Sequence, residues 1–335
     1  MHAWSTIFTY RTEQARHGHG DLEWLERTFQ KLLLNFTWWV NREDRTGSNV
    51  FEGGFLGLDN IGVFDRSAPL PTGGSLKQAD GTAWMALCLN MLEIAVQLAL
   101  EKPAYVDMSV KFMEHFLWIA SSLMHAGEDV GMWDEEDGFF YDVLRVPEGR
   151  PPRLKVRSMV GLLPLCAASL FEGEVMEKLP EAKHQVVRFL EARPSLIAFI
   201  HDPTRQGHGG WRLGAVLNET NLRRVLGKML DENEFSSPYG IRSVSRYHAE
   251  HPYIFRVNGQ EYRVDYLPAE SNTGMFGGNS NWRGPVWMPV NTLIIRGLLQ
   301  YYAHYGDDFT VECPSGSGPA DDFVPGRRGA LASAV

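Results

Sequence analysis

The chain has 335 residues, with 32 Lys and Arg against 41 Asp and Glu, a formal net charge of −9. That acidic balance argues against a nucleic-acid protein, which carries a basic patch or stripe. With 44% hydrophobic and 22% charged residues the chain reads as globular rather than disordered.

In chain order, residues 4–13 predict a helix. Residues 22–40 place Leu22, Leu25, Phe29, Leu32, Leu33, Phe36 and Trp39 at steps of three and four, one apolar face with charges opposite. Residues 82–100 are apolar nearly all round, as a helix buried on every side should be. Residues 104–124 return to a half-exposed pattern, with Asp107, Lys111 and Glu114 along it. Residues 158–171 again predict a buried helix. The stretch 172–219 breaks the alternation and is read as a helical insertion, with an amphipathic segment at 182–192. Residues 220–231 are amphipathic. Short strands at most are expected within 251–267, with a turn at Asn258–Gly259. Residues 286–302 predict a mostly apolar helix, with Pro289 near its start, where proline is tolerated.

Buried helices thus alternate with half-exposed ones. The simplest architecture with that alternation is all-α, a ring of helical hairpins with inner helices surrounded by outer ones. The turn at 101–103 is short, whereas the connections 42–81, 126–157 and 232–284 are long, and long loops in a compact domain are usually functional. Alternating helix directions bring all three onto one rim, the expected place of the site. After Cys313, Gly, Pro, Ser and Ala dominate and periodicity is lost, so 313–335 reads as a disordered or aberrant tail.

The first long loop sets Asp59 and Asp65 among Leu58, Ile61, Val63 and Phe64. A carboxyl in apolar surroundings has a raised pKa and suits a general acid; the same residues could simply cap turns. Asp80 stands where a helix N-cap is expected. Gln78 and Trp84 either face a ligand or pack the rim. The second loop holds Asp134, Glu135, Glu136, Asp137 and Asp142 among Trp133, Phe139, Phe140 and Tyr141. Carboxylates beside aromatics suit sugar hydroxyls and their apolar faces; equally, they could be an acidic turn opening a hairpin. The third loop supplies amides (Asn272, Asn279, Asn281), stacking faces (Phe276, Trp282, Trp287) and the donor fork of Arg283. Arg283 could also be paired with a structural carboxylate. The combination reads as a saccharide pocket.

Dinucleotide, phosphate-loop, nucleophile-elbow and HExxH motifs are absent. His17 with His19, and His201 with His208, are too loosely set to argue for a metal. Cys88, Cys166 and Cys313 are far apart and cannot all pair, which argues against a disulfide framework and points to a reducing compartment, the cytoplasm. No secretory signal is visible at Met1–Thr12, and apolar runs such as Trp84–Leu92 are short for a membrane span.

The strings GLDN (57–60), WDEEDGFFYD (133–142), YGIRSVS (239–245) and NWRGPVWMPVN (281–291) occur in the order found in glycoside hydrolase family 63, and the chain resembles that family over roughly residues 2–312. The resemblance implies an (α/α)6 toroid and inverting hydrolysis of oligosaccharide α-glycosidic bonds, α-glucosidic above all, without a metal or organic cofactor. It makes Asp59 the general acid and Trp282, Arg283 and Trp287 substrate-binding residues, with Asn291 and Trp133 as weaker transfers; Asp134 and Gln78 join them from the loop reading. Inversion also needs a second carboxylate about 6.5–9.5 Å from the first. In the family this is a Glu in a Glu-Tyr-Tyr/Phe motif, and none follows Trp287 here. Glu270 or Asp134 would be the substitutes. The expectation is therefore an incomplete toroid, truncated at both ends, with a non-catalytic saccharide-binding remnant as the alternative.

Overall fold

The computed structural model describes residues 2–42, 44, 47–52, 58, 60–65, 68–124, 131–147, 149–272, 281–318 and, as backbone, 322–323. The described chain is mostly helical, with small antiparallel sheets. Helix α1 (His2–His17) and α2 (Leu22–Arg42) form a hairpin. Asp21 caps the second helix, its Oδ1 accepting from the Trp24 N–H at 2.8 Å. Strand β1 (Ser75–Lys77) leads into α3 (Ala79–Ala86) and α4 (Leu89–Glu101), and α5 (Val106–Met124) runs back along them.

The buried helix expected over 82–100 is thus two helices. At the break, Leu87 and Cys88 donate to carbonyls three residues back, Trp84 and Met85, a tight 3-10-type turn. Asp80 is not the N-cap. It lies buried inside the first turn, and the Ala79 N–H is accepted at 2.7 Å by Asp142, a residue of the second long loop. Taken together, Ala79–Glu101 is long and apolar enough to cross a membrane by length and composition, contrary to the reading from short runs. Most of it is buried inside the protein, as a core helix is.

The second loop forms β2 (Trp133–Asp134), β3 (Phe139–Phe140), β4 (Asp142–Arg145) and β5 (Arg153–Leu154). Strand β4 sits between β1 and β5, with Leu76 opposite Leu144. The buried segment expected as an α-helix over 158–171 is a 3-10 helix, Met159–Cys166, followed by β6 (Ala168–Phe171). Pro164 lies inside it and lacks the N–H an α-helix would use there. After α6 (Gly173–Lys178) and α7 (Pro180–Ala192), strand β7 (Arg212–Ala215) returns to pair with β6, Phe171 opposite Arg212. The excursion 172–211 is therefore closed at its base, and α7 packs on α5.

Helix α8 (Glu219–Met229), the bridges β8 (Ser236–Ser237) and β9 (Gly240–Ile241), and the hairpin β10 (Tyr253–Val257) and β11 (Gln260–Val264) precede α9 (Met288–Tyr305). The hairpin turns at Asn258–Gly259, both with positive φ, as a tight two-residue turn demands. Gly297 lets α9 press against the 3-10 helix: a Cβ there would fall 2.2 Å from the Leu165 carbonyl. Of the tail, residues 313–318 are partly tied to α8, Ser315 donating to the Leu230 and Gly227 carbonyls. Beyond them only the backbone of β13 (Asp322–Phe323), paired with β12 (Val311–Glu312), is described.

The three long loops meet in a second small hydrophobic core. Val63 and Phe64 of the first, Leu144, Leu154 and Val156 of the second, and Val264 of the third are buried together. In the main core, a buried carboxylate joins distant elements. Glu93 of α4 pairs with Arg11 of α1 at 2.6 Å and Arg296 of α9 at 3.2 Å, and accepts from Ser169 of β6 and from Asn90 at 2.7 Å.

Removing one partner of a buried ion pair strands the other. Glu93→Ala should lower the unfolding free energy by about 3–5 kcal/mol, read from urea midpoints, with Glu93→Gln costing clearly less; equal midpoints for wild type and Glu93→Ala would contradict this. A second expectation concerns pH. His201 is buried, and burial, with His304 beside it, pushes its imidazole down to about 4. Between its ordinary value of 6.5 and 4 the unfolded chain binds a proton that the folded chain refuses. Stability should therefore be full above pH 6.5 and fall by roughly 3 kcal/mol on acidification to pH 4 from this residue alone. Urea midpoints of His201→Phe should show a shallower loss over that window.

Candidate active site

A cavity of about 510 Å³ lies between α1, α2, α3 and α9. Its walls include Asn35 and Trp39 of α2, Trp84 of α3, Leu58 of the first loop, Trp282 of the third and Leu293 of α9. That volume is in the range of small-molecule sites, which are mostly apolar with few polar groups.

The segment 281–291 is wired to itself and to its neighbours. The Asn281 amide donates to the Leu267 and Ala269 carbonyls at 2.8 Å, and its Oδ1 accepts from the Arg283 N–H at 2.9 Å. The Trp287 indole donates to the Asn281 carbonyl at 3.1 Å. Trp282 and Trp287 stack, with ring centroids 4.0 Å apart and planes at 13°. The Trp282 indole N–H is buried without a partner. The 239–245 segment braces these residues from below, Ser243 Oγ accepting from the Gly284 N–H and the Ser243 N–H donating to Pro285.

Asp59, the sequence-assigned acid, lies outside the described residues. Its two neighbours are fixed. Leu58 is on the cavity wall, and Asn60 is 1% exposed, with Oδ1 accepting from the Trp282 N–H at 2.7 Å and its carbonyl accepting from Arg283 Nε at 2.7 Å. Sequence reading gave Asn60 no role, although it stands beside the acid in the same tetrapeptide; a buried carboxamide in an otherwise apolar loop was the available signal.

Arg283 does not offer its fork to a ligand or a carboxylate. It is buried, and Nε, Nη1 and Nη2 donate to the carbonyls of Asn60, Arg263 and Gly62 at 2.7, 3.1 and 3.3 Å. It joins the first and third loops behind Trp282. Asn291 is likewise turned to the backbone: its Oδ1 accepts from Ile241 N–H, and its Nδ2 donates to Ile241 and Trp287 carbonyls. Trp133 is buried against Phe140 and donates to Glu135 at 2.7 Å. Gln78 is buried at the N-cap of α3. Of the sequence-assigned binding residues, Trp282 is on the cavity wall, with Trp287 stacked on it, whereas Trp133, Asp134 and Asn291 are bonded within the loop scaffold.

Asp134 closes the acidic turn of the hairpin. It accepts from the Asp137 N–H at 2.9 Å and faces Lys155 at 3.2 Å and Arg153 at 3.5 Å. The same cluster pairs Asp137 with Lys155 at 3.0 Å and Arg157 with Glu234. Burial works to raise the Asp137 carboxyl, but Lys155 and Arg157 outweigh it and hold it below the ordinary range. Burial, with the Asp137 charge 3.2 Å away, pushes the Tyr141 phenol well up. Glu270 is exposed on the surface. Neither substitute base is thus poised: one is held by cations and the other is open to solvent.

Residues 175–313 match the mannosylglycerate hydrolase MGH1-like glycoside hydrolase domain. That stretch carries the Trp282–Arg283 segment and α9. Over 332 residues, 95% of the chain, there is 48% identity to an uncharacterized protein of Saccharomyces cerevisiae, of which the match covers 30%. Over 154 residues, 41% of the chain, there is 30% identity to a probable mannosyl-oligosaccharide glucosidase of Schizosaccharomyces pombe, of which 16% is covered. The chain therefore spans less than a third of these relatives. The domain match and the glucosidase likeness fall on a motif-bearing, mostly helical chain and support a family 63-like assignment.

Proposed function

We propose that this chain carries the acid and the sugar platform of an inverting α-glycosidase acting on oligosaccharides, with α-glucosides as the first class to test, on an (α/α)6-type ring. Asp59 is the proton donor to the departing oxygen. Trp282, braced by Trp287 from behind, covers the apolar face of the sugar ring, and Arg283 fixes the loops that carry both. The observation that carries this reading is the pinning of Leu58 and Asn60, on either side of Asp59, to the cavity wall and to the Trp282 backbone.

An inverting reaction also needs a base to activate water across the sugar ring. Asp134, Asp137 and Glu234 on the described rim are each held by cations, and this reading assigns the base to none of them. The same commitment of carboxylates favours a second reading, a saccharide-binding role without turnover.

General-acid help is worth most when the leaving group is poor. Asp59→Asn should slow hydrolysis of an alkyl α-glucoside by about 10²–10⁴-fold, and that of a dinitrophenyl α-glucoside far less. Undiminished turnover of the alkyl substrate would reject Asp59 as the acid. Calorimetry of the wild-type chain with maltose separates the two readings: heat of binding with no glucose released supports the binding role, and glucose release excludes it.

A further inference from the structure

Under the excursion 172–211 lies a smaller cavity, of about 50 Å³, that shares no wall residue with the cavity of the candidate active site. Its walls are apolar, with Leu92 and Val96 of α4, Val110 of α5, Phe171 of β6, Val175 of α6 and Val186 of α7. Three polar side chains border it, and two of them are spent. Ser109 Oγ donates to the Val106 carbonyl at 2.6 Å, and Thr204 Oγ1 donates to Asp202 at 2.7 Å. The third is Arg212, half-buried on β7. Its Nη1 donates to the Thr204 carbonyl, and its Nε is buried without a partner. Among the described residues Arg212 makes no ion pair; Glu177 feels its charge, but that carboxylate is bonded to Lys183 at 2.5 Å. We propose that this cavity is a binding site for a short-chain aliphatic carboxylate, its tail between α4, α5 and α7 and its carboxylate on the Arg212 guanidinium.

Volume sizes the tail. A buried water needs about 10–15 Å³ of cavity, so about 50 Å³ takes a chain of roughly four carbons. Walls that offer no hydrogen bond hold water poorly, whereas an alkyl tail gains by leaving it. Charge selects the head. A guanidinium presents its N–H groups in a planar fork that matches a carboxylate. An anion seated there pairs a half-buried cation that no carboxylate of the described chain pairs. A neutral alcohol would leave that cation unpaired, and a sugar would set its hydroxyls against valine and leucine. This binding does not depend on glycosidase activity, and the two fail separately.

The test is calorimetry of the full chain with acetate, propanoate, butanoate, pentanoate and hexanoate. Affinity should rise about fourfold per added methylene as far as pentanoate and level off at hexanoate, where the cavity is full. Pentanol, which has the tail without the charge, should bind about tenfold more weakly than pentanoate or worse. Pentanoate should also raise the melting temperature with its concentration, as a ligand of the folded state does. Arg212→Gln keeps a donor for the Thr204 carbonyl and removes the charge. It should weaken pentanoate about tenfold or more and leave pentanol unchanged. Val96→Phe fills the cavity and should abolish the binding of both while melting stays cooperative. No saturable heat with pentanoate, equal affinity for acetate and pentanoate, or full pentanoate affinity in either variant overturns the proposal.

Discussion

Arg283 carries a buried charge that is satisfied by carbonyl oxygens, and the rim depends on it. A guanidinium taken out of water must recover its hydration elsewhere, and bonds to charged groups are worth about 1.5–3 kcal/mol each. Here the acceptors are the carbonyls of Asn60, Gly62 and Arg263. Those residues belong to loops far apart in sequence, so the cost of leaving the cation unpaired is also the force that holds the loops together. Moving either loop would expose or orphan the charge. The Trp282–Trp287 stack and the Asn60–Trp282 bond sit on this joint.

Around it the rim separates into two kinds of chemistry. On the cavity side the surfaces are aromatic and aliphatic, with Trp39, Trp84, Trp282 and Leu293 and little charge. On the other side Asp134, Asp137, Lys155, Arg157 and Glu234 form a compact ion-pair network. Arg157 also lies over the Tyr247 ring at 4.1 Å, and the Tyr141 phenol donates to Asp137. A carboxylate held by two cations is a poor base, because proton uptake would cost it both attractions. The acidic WDEEDGFFYD string thus serves the scaffold through its charges and through Asp142, which caps α3 across 63 positions of sequence.

Much of the helical framework was legible because burial leaves a period. The faces of α2, α5, α7 and α8 follow their apolar spacing, and the Asn258–Gly259 turn follows from residues that tolerate positive φ. Where periodicity was silent, the reading failed for identifiable reasons. The run 158–171 is apolar throughout, so pattern could not distinguish an α-helix from a 3-10 helix and strand; Pro164 decides it. Asp80 looked like a cap because caps are read locally, whereas the true acceptor comes from another loop. At the site, Trp282 was legible as an aromatic in a polar loop. The roles of Arg283 and Asn291 were not, because their partners are backbone carbonyls and amides, which every residue has and no sequence pattern marks.

The stacked tryptophans show how such a scaffold prepares one surface for a ligand. An isolated exposed indole has rotamer freedom that binding must remove, whereas Trp282 is held by Trp287 on one face and by Asn60 at its backbone. One ring face is covered by the partner, and the ring borders the cavity. The Trp287 indole N–H is already used by the Asn281 carbonyl, so the unpartnered donor of the pair is Trp282 Nε1. A flat apolar face held rigid at the cavity wall is suited to a ring that is apolar on its C–H face. In the glycosidase reading, the internal bonding of residues 281–291 fixes the platform before substrate arrives, so that binding need not order it.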